Sequence, residues 1–159
     1  MAETGTMPEV GQPAPLFEGQ TQDGEAIRLA DYRGRKVALY FYPKDDTPGC
    51  TKQACSLRDG YQDLLDAGIA VIGVSPDAVA SHARFADTYA LPFPLVADPE
   101  HVVLEQYGAW GRRSLYGRIF MGVKRTTFLI DEDGVIRHIL KRPDVNEHAA
   151  EVLAKFRAS

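Results

Sequence analysis

The sequence predicts one α/β domain: a mixed central sheet flanked by helices, with a β-hairpin near its N-terminus. Three observations predict it. The runs Lys36 to Pro43 (KVALYFYP) and Ile69 to Ser75 (IAVIGVS) are nearly continuous stretches of strand formers, as expected for strands covered on both faces. Helical patterns follow each of them. RTTFLID and VIRHIL then flank Glu132-Asp133-Gly134 as a closing hairpin. Strands alternating with helices pack as a sheet between helical layers.

Taken in order, Gly, Pro and Thr in the opening residues predict a flexible tail over 1–9, leaving 10–159 as the domain. FEGQTQDGEAIRL reads as a hairpin turning at Asp23-Gly24. After the first buried strand, one helix is predicted from Pro48 to Asp66, with Leu57, Tyr61, Leu64 and Leu65 on one stripe and Gly68 as its stop. Gly60 inside it is a poor helix former, which either eases unwinding or permits close packing. Ala78 to Ala90 reads as the next helix, ending before Pro92. FPLVAD is a short strand and Glu100 to Tyr107 a short helix, while glycine-dotted Gly108 to Gly122 reads as irregular. Asn146 is the expected cap of a last helix whose inner face is Ala149, Val152, Leu153 and Phe156.

Bulk properties exclude several classes of function. With 45% hydrophobic and 25% charged residues, the composition is that of an ordinary soluble globular chain. A net charge of -4 argues against nucleic acid or an anionic membrane as the main partner. No run approaches the ~18 apolar residues of a membrane span, and the opening has no basic or apolar stretch of a signal peptide. A cytoplasmic location is therefore expected. Two cysteines in such a reducing compartment are more often catalytic or metal-binding than structural.

Both cysteines fall in Pro43-Lys44-Asp45-Asp46-Thr47-Pro48-Gly49-Cys50-Thr51-Lys52-Gln53-Ala54-Cys55, where a buried strand gives way to a helix. Ligands of open α/β sheets bind at this carboxyl end of the strands. Cys50 is predicted in the first helical turn, where unpaired N–H groups and the positive end of the helix dipole favour a thiolate. Thr47, three residues earlier, is close enough to reach that sulfur or a ligand bound beside it, and is also placed to cap the helix. Pro43 and Pro48 stiffen the loop and remove N–H donors from it. A second positive group is needed beside a thiolate, and Arg125, entering RTTFLID, is the candidate.

Pro43-x3-Thr47-x2-Cys50 resembles the active-site motif of the peroxiredoxins. TPGCTKQAC, with Cys55 five residues after Cys50, is similar to the peroxiredoxin Q (bacterioferritin comigratory protein) branch. GQPAPLF, VALYFYPKDDTPGCT, VIGVSPD, FPLVAD, YGAWG and RTTFLIDEDG fall in that branch's order, so the likeness covers most of the chain. It implies a thioredoxin-like fold, Cys50 as the peroxide-attacking cysteine and Cys55 as the resolving one. Pro43, Thr47 and Arg125 then complete the pocket. It further implies hydrogen peroxide and organic hydroperoxides as substrates and thioredoxin or a similar dithiol as reductant. The branch is often monomeric, and a dimer is compatible with the sequence. No cofactor is called for, because the sulfur itself changes oxidation state.

Helix geometry adds a constraint. Five residues advance about 7.5 Å and turn about 500°, whereas a disulfide needs Cα atoms within about 7 Å and converging Cβ vectors. The first turns must therefore unwind before Cys50 and Cys55 can join. Other readings stay open. Cys55 as an inert core residue leaves Cys50 to be resolved by an outside thiol. A zinc site needs about four ligands, and two cysteines with scattered His82, His101, His138 and His148 offer no compact set. Asp45-Asp46 reads as a solvated loop tip. A thioredoxin-like disulfide reductase uses Cys-x2-Cys, which this chain lacks. A non-enzymatic redox sensor would share the cysteines without turnover.

Overall fold

The structure, a computed structural model, describes residues 6–158. Residues 1–5 of the expected tail lie outside it. Within the rest of that segment, Met7 packs against the core and the Glu9 amide donates to Gln12 Oε1.

The elements run β1 (Glu18–Gln20), β2 (Ala26–Arg28), β3 (Lys36–Phe41), α1 (Pro48–Asp59), α2 (Tyr61–Asp66), β4 (Ile69–Ser75) and α3 (Val79–Tyr89). They continue with β5 (Leu95–Ala97), α4 (Val102–Gln106), β6 (Trp110–Leu115), β7 (Arg118–Val123), β8 (Thr126–Ile130), β9 (Ile136–Leu140) and α5 (His148–Arg157). Seven strands form one mixed sheet in the order β2-β1-β5-β4-β3-β8-β9. β3 and β4 are parallel, with Lys36 opposite Ile69 and Phe41 opposite Val74, and β8 runs antiparallel to β3 on its other side. The α/β class, the N-terminal hairpin and the closing hairpin stand as expected.

The continuous apolar character of β3 has a simple cause. Val37, Leu39 and Phe41 face one core with α4, while Ala38 and Tyr40, with Tyr42 just beyond the strand, face a second core under α1, α2, α3 and α5. A strand covered on both faces has no position where a polar side chain meets water. β4 is buried along all seven residues for the same reason. Among the described residues no helix is long and apolar enough to cross a membrane.

Three expectations are corrected. The single helix from Pro48 to Asp66 is broken at Gly60, which separates α1 from α2. A Cβ at Gly60 would lie 2.5 Å from Ala149 Cβ, so of the two roles considered for this glycine the structure displays close packing of α5. The segment Gly108 to Gly122 is not irregular but a two-stranded hairpin, β6 with β7, turning at Tyr116-Gly117, both at positive φ. Asn146 does not cap α5, which starts after Glu147. Asp144 does the local work instead, its carboxylate accepting from the amides of Asn146 and Glu147.

Candidate active site

Pro48 and Gly49 start α1 immediately beyond the carboxyl end of β3, with Thr47 as the residue before the helix. The Thr51 amide donates to Thr47 O at 2.8 Å, closing the first turn around Cys50. Cys50 is 1% exposed, Cys55 is half-buried on the same helix, and both are free thiols. α1 is continuous through both, so in this form the geometry forbids their bond.

The sheet register brings in the arginine. Phe41 of β3 lies opposite Thr126 of β8, so Arg125 stands just past the end of β3, facing the start of α1. Its Nη2 donates to Cys50 Sγ at 3.3 Å, and its Nη1 donates to Gln53 Oε1 at 2.6 Å. A Cβ on Gly49 would sit 3.2 Å from Arg125 Nη2, so the glycine before the cysteine leaves room for the guanidinium. A guanidinium donor and the end of a helix thus meet at this sulfur, and both attract negative charge.

Thr47 Oγ1 donates to Lys44 O at 2.8 Å rather than capping the helix, which corrects the capping expectation. With its proton engaged, the hydroxyl keeps lone pairs free to accept a hydrogen bond. Pro43 is half-buried at the start of the loop. The structure thus brings Cys50 and Arg125 into contact, sets Thr47 at the helix entrance and Pro43 at the loop's root, and places Cys55 farther along α1.

Two features escaped the sequence. Gln53, fully buried, holds the far side of the Arg125 fork. Its position one turn after Cys50, on the same helix face, was the signal. Asp45 is not a solvated loop tip: it is 8% exposed and hydrogen-bonded to His82, Tyr42 and Ser81. Burial pushes its carboxyl pKa up, but the His82 and Tyr42 hydrogen bonds, the His82 charge and Ser81 outweigh this and hold it below the ordinary value. Asp45, Asp77 and His82 lie close enough to suggest a cation. Their facing atoms are already taken by one another and by Ser75, Ser81 and the Asp45 amide, which makes a closed hydrogen-bond cluster. Beneath the site, the buried Tyr40 hydroxyl and Gln53 Nε2 have no hydrogen-bond partner among the described residues. Burial first, and then the negative charge of Cys50, push the Tyr40 pKa far up, so this phenol stays protonated.

Comparison with known proteins finds matches over most of the chain. Residues 10–139 match the AhpC/TSA family. The chain is 49% identical over 148 residues to a protein of Coxiella burnetii named putative peroxiredoxin bcp, covering 93% of this chain and 98% of that one. Among solved structures it superimposes on peroxidoxin BcpB of Mycobacterium tuberculosis (TM-score 0.84, 35% identity, 96% and 98% of the two chains). It also matches a cysteine-to-serine mutant of PrxQ from Xylella fastidiosa (TM-score 0.89, 28% identity, 96% and 98%).

Proposed function

Because the chain belongs to the AhpC/TSA family as a peroxiredoxin of the Bcp kind, a thiol-dependent peroxidase with a thioredoxin fold, we propose that Cys50 is the sulfur that attacks the peroxide and Cys55 the one that resolves it. The observation that carries this reading is the Arg125 guanidinium 3.3 Å from a buried Cys50 in the first turn of a helix. Cys50 thiolate attacks the terminal peroxide oxygen, the O–O bond breaks, and the leaving oxygen departs as water or an alcohol. Arg125 steadies the sulfur and the charge moving onto oxygen, while Thr47 accepts from the peroxide O–H and Pro43 shapes the loop. Removing one such donor from a reaction centre costs about 10²–10³ in rate, so the arginine contributes on that scale.

The first turns of α1 then open, and Cys55 condenses with the sulfenic acid, releasing water and forming the disulfide. A thioredoxin-like dithiol reduces it, and hydrogen peroxide and organic hydroperoxides are the substrates. Residues 10–159 act as one unit, and since every reacting group comes from one chain, a monomer suffices. Two free thiols suit a reducing compartment such as the cytoplasm.

Cys50→Ser and Cys55→Ser separate the steps. The first loses all peroxide consumption. The second completes one turnover and accumulates sulfenic or sulfinic acid at Cys50, seen by mass spectrometry. Continued turnover with thioredoxin in Cys55→Ser would show that an outside thiol resolves Cys50.

A further inference from the structure

A second polar cluster joins the loop before α1 to α3. His82 and Asp45 side chains are 0% and 4% exposed, with Nδ1 2.7 Å from Asp45 Oδ2. The other ring nitrogen, Nε2, lies 3.0 Å from Val96 O. The ring is thus held from both sides, by Asp45 Oδ2 at one nitrogen and Val96 O at the other. Ser81 Oγ donates to the same carboxylate at 2.7 Å and Tyr42 Oη at 2.6 Å, while the Asp45 amide donates to Asp77 Oδ2 at 2.7 Å. Asp46, at φ 58, accepts from Tyr89 Oη at 2.6 Å. The backbone carbonyl of Tyr89 in turn accepts from Arg58 Nη1 at 2.8 Å.

α3 therefore grips the chain twice: at Asp45 and Asp46, just before α1, and at Arg58, near its end. Cys50 and Cys55 lie between the two attachments. We propose that α3 is a clamp on this segment, in which His82 acting through Asp45 and Tyr89 acting through Asp46 are positioning residues. The firmness of their hold sets the balance between attack on peroxide and closure of the disulfide. The inference rests on the reading of Cys55 as the resolving thiol.

The physical reason is an opposition between the two steps. Attack needs the first turn closed, with Cys50 against Arg125. Closure needs that turn open, because the intact helix keeps the cysteines apart. A loop held at Asp45 and Asp46 stabilises the closed arrangement. Loosening it shifts the population toward the open one, which slows attack and speeds closure. The sulfenic acid has a competing fate: a second hydroperoxide oxidises it to sulfinic acid, releasing another water or alcohol. Faster closure leaves less sulfur for that branch.

The test uses the full chain in rapid-quench experiments read by mass spectrometry, comparing wild type, His82→Gln and Tyr89→Phe. The clamp predicts Cys50 oxidation about tenfold slower in His82→Gln, the scale of a small misplacement of a reacting group. Tyr89→Phe loses one hydrogen bond, a factor of about five. In both variants the sulfinic fraction under excess peroxide falls severalfold. A merely structural role would not produce this opposite movement of the two steps. Should His82→Gln fail to fold, Tyr89→Phe, altered by one hydroxyl, decides alone. Variants that keep both rates, or lose both together, overturn the clamp while wild-type disulfide formation stands. A wild type whose Cys55 thiol survives peroxide overturns the clamp and the reading beneath it together.

Discussion

β3 and the first turn of α1 are neighbours in the chain, yet different physics holds them. β3 is paired on both edges and buried on both faces, with Leu39 and Phe41 fully buried. Its stability is spread over many apolar contacts, none of which has to break for function. The first turn of α1 is positioned by a handful of polar contacts: Arg125 on Cys50 and Gln53, Thr47 on Lys44 O, and the Asp45 cluster. Few, directional contacts can be made and broken within a catalytic cycle, whereas a close-packed core resists partial opening. The rigid strand aims the helix, and the proposed chemistry falls to the turn that can open.

The largest expected effect attacks the strand. Phe41→Ala removes a fully buried ring between Tyr107 and Phe128 and should cost about 3–5 kcal/mol of stability. Denaturant unfolding checks the loss. The peroxide rate per folded molecule should hardly change, and a rate falling in step with stability would erase the distinction between the two regions. Arg125→Ala acts on the turn. It should lower the rate of Cys50 oxidation about a hundredfold, or about 2.7 kcal/mol in the barrier, as stopped-flow mixing with peroxide would measure. Its effect on unfolding should be much smaller than that of Phe41→Ala.

The smallest effect concerns acid. Burial, opposed by Glu151, holds the His148 pKa below its ordinary 6.5. The unfolded chain therefore takes up this proton first, and stability is full above pH 6.5 and falls as pH drops below it. Asp45, held below its ordinary 3.8, contributes stability above that value which is lost as pH falls through its lowered folded pKa. Unfolding midpoints measured from pH 7 downward should decline in that order. His148→Gln should flatten the first part of the decline and leave the second.

Much of the scaffold was legible because local pattern and tertiary burial agree there. Uninterrupted apolar residues announced β3 and β4, and Asp-Gly turns announced two hairpins. β6–β7 was not legible: most of its side chains are exposed, including Leu115, Ile119 and Met121, so no alternation marks an inner face. The break at Gly60 was hidden because Leu57 and Leu64 continue one stripe across it, while Ala149, the residue that leaves room only for a glycine there, lies far along the chain. Within the site, Cys50, Thr47 and Pro43 share one short segment whose chemistry can be read directly. Arg125, 75 residues from Cys50, was reached by asking what a thiolate needs and by family likeness. The Asp45–His82 pair, 37 residues apart, carries no local mark, since an acidic dipeptide in a loop reads the same whether it faces water or a buried histidine.

In the proposed cycle one hydroperoxide takes both thiols through a helix that opens between them. The most direct test counts free thiols in the reduced chain before and after one equivalent of hydrogen peroxide, followed by peptide mapping. Two thiols lost per chain, with the Cys50 and Cys55 peptides linked to each other, is the predicted result. Both thiols retained, or a disulfide joining two chains through Cys50 with Cys55 still free, would contradict it.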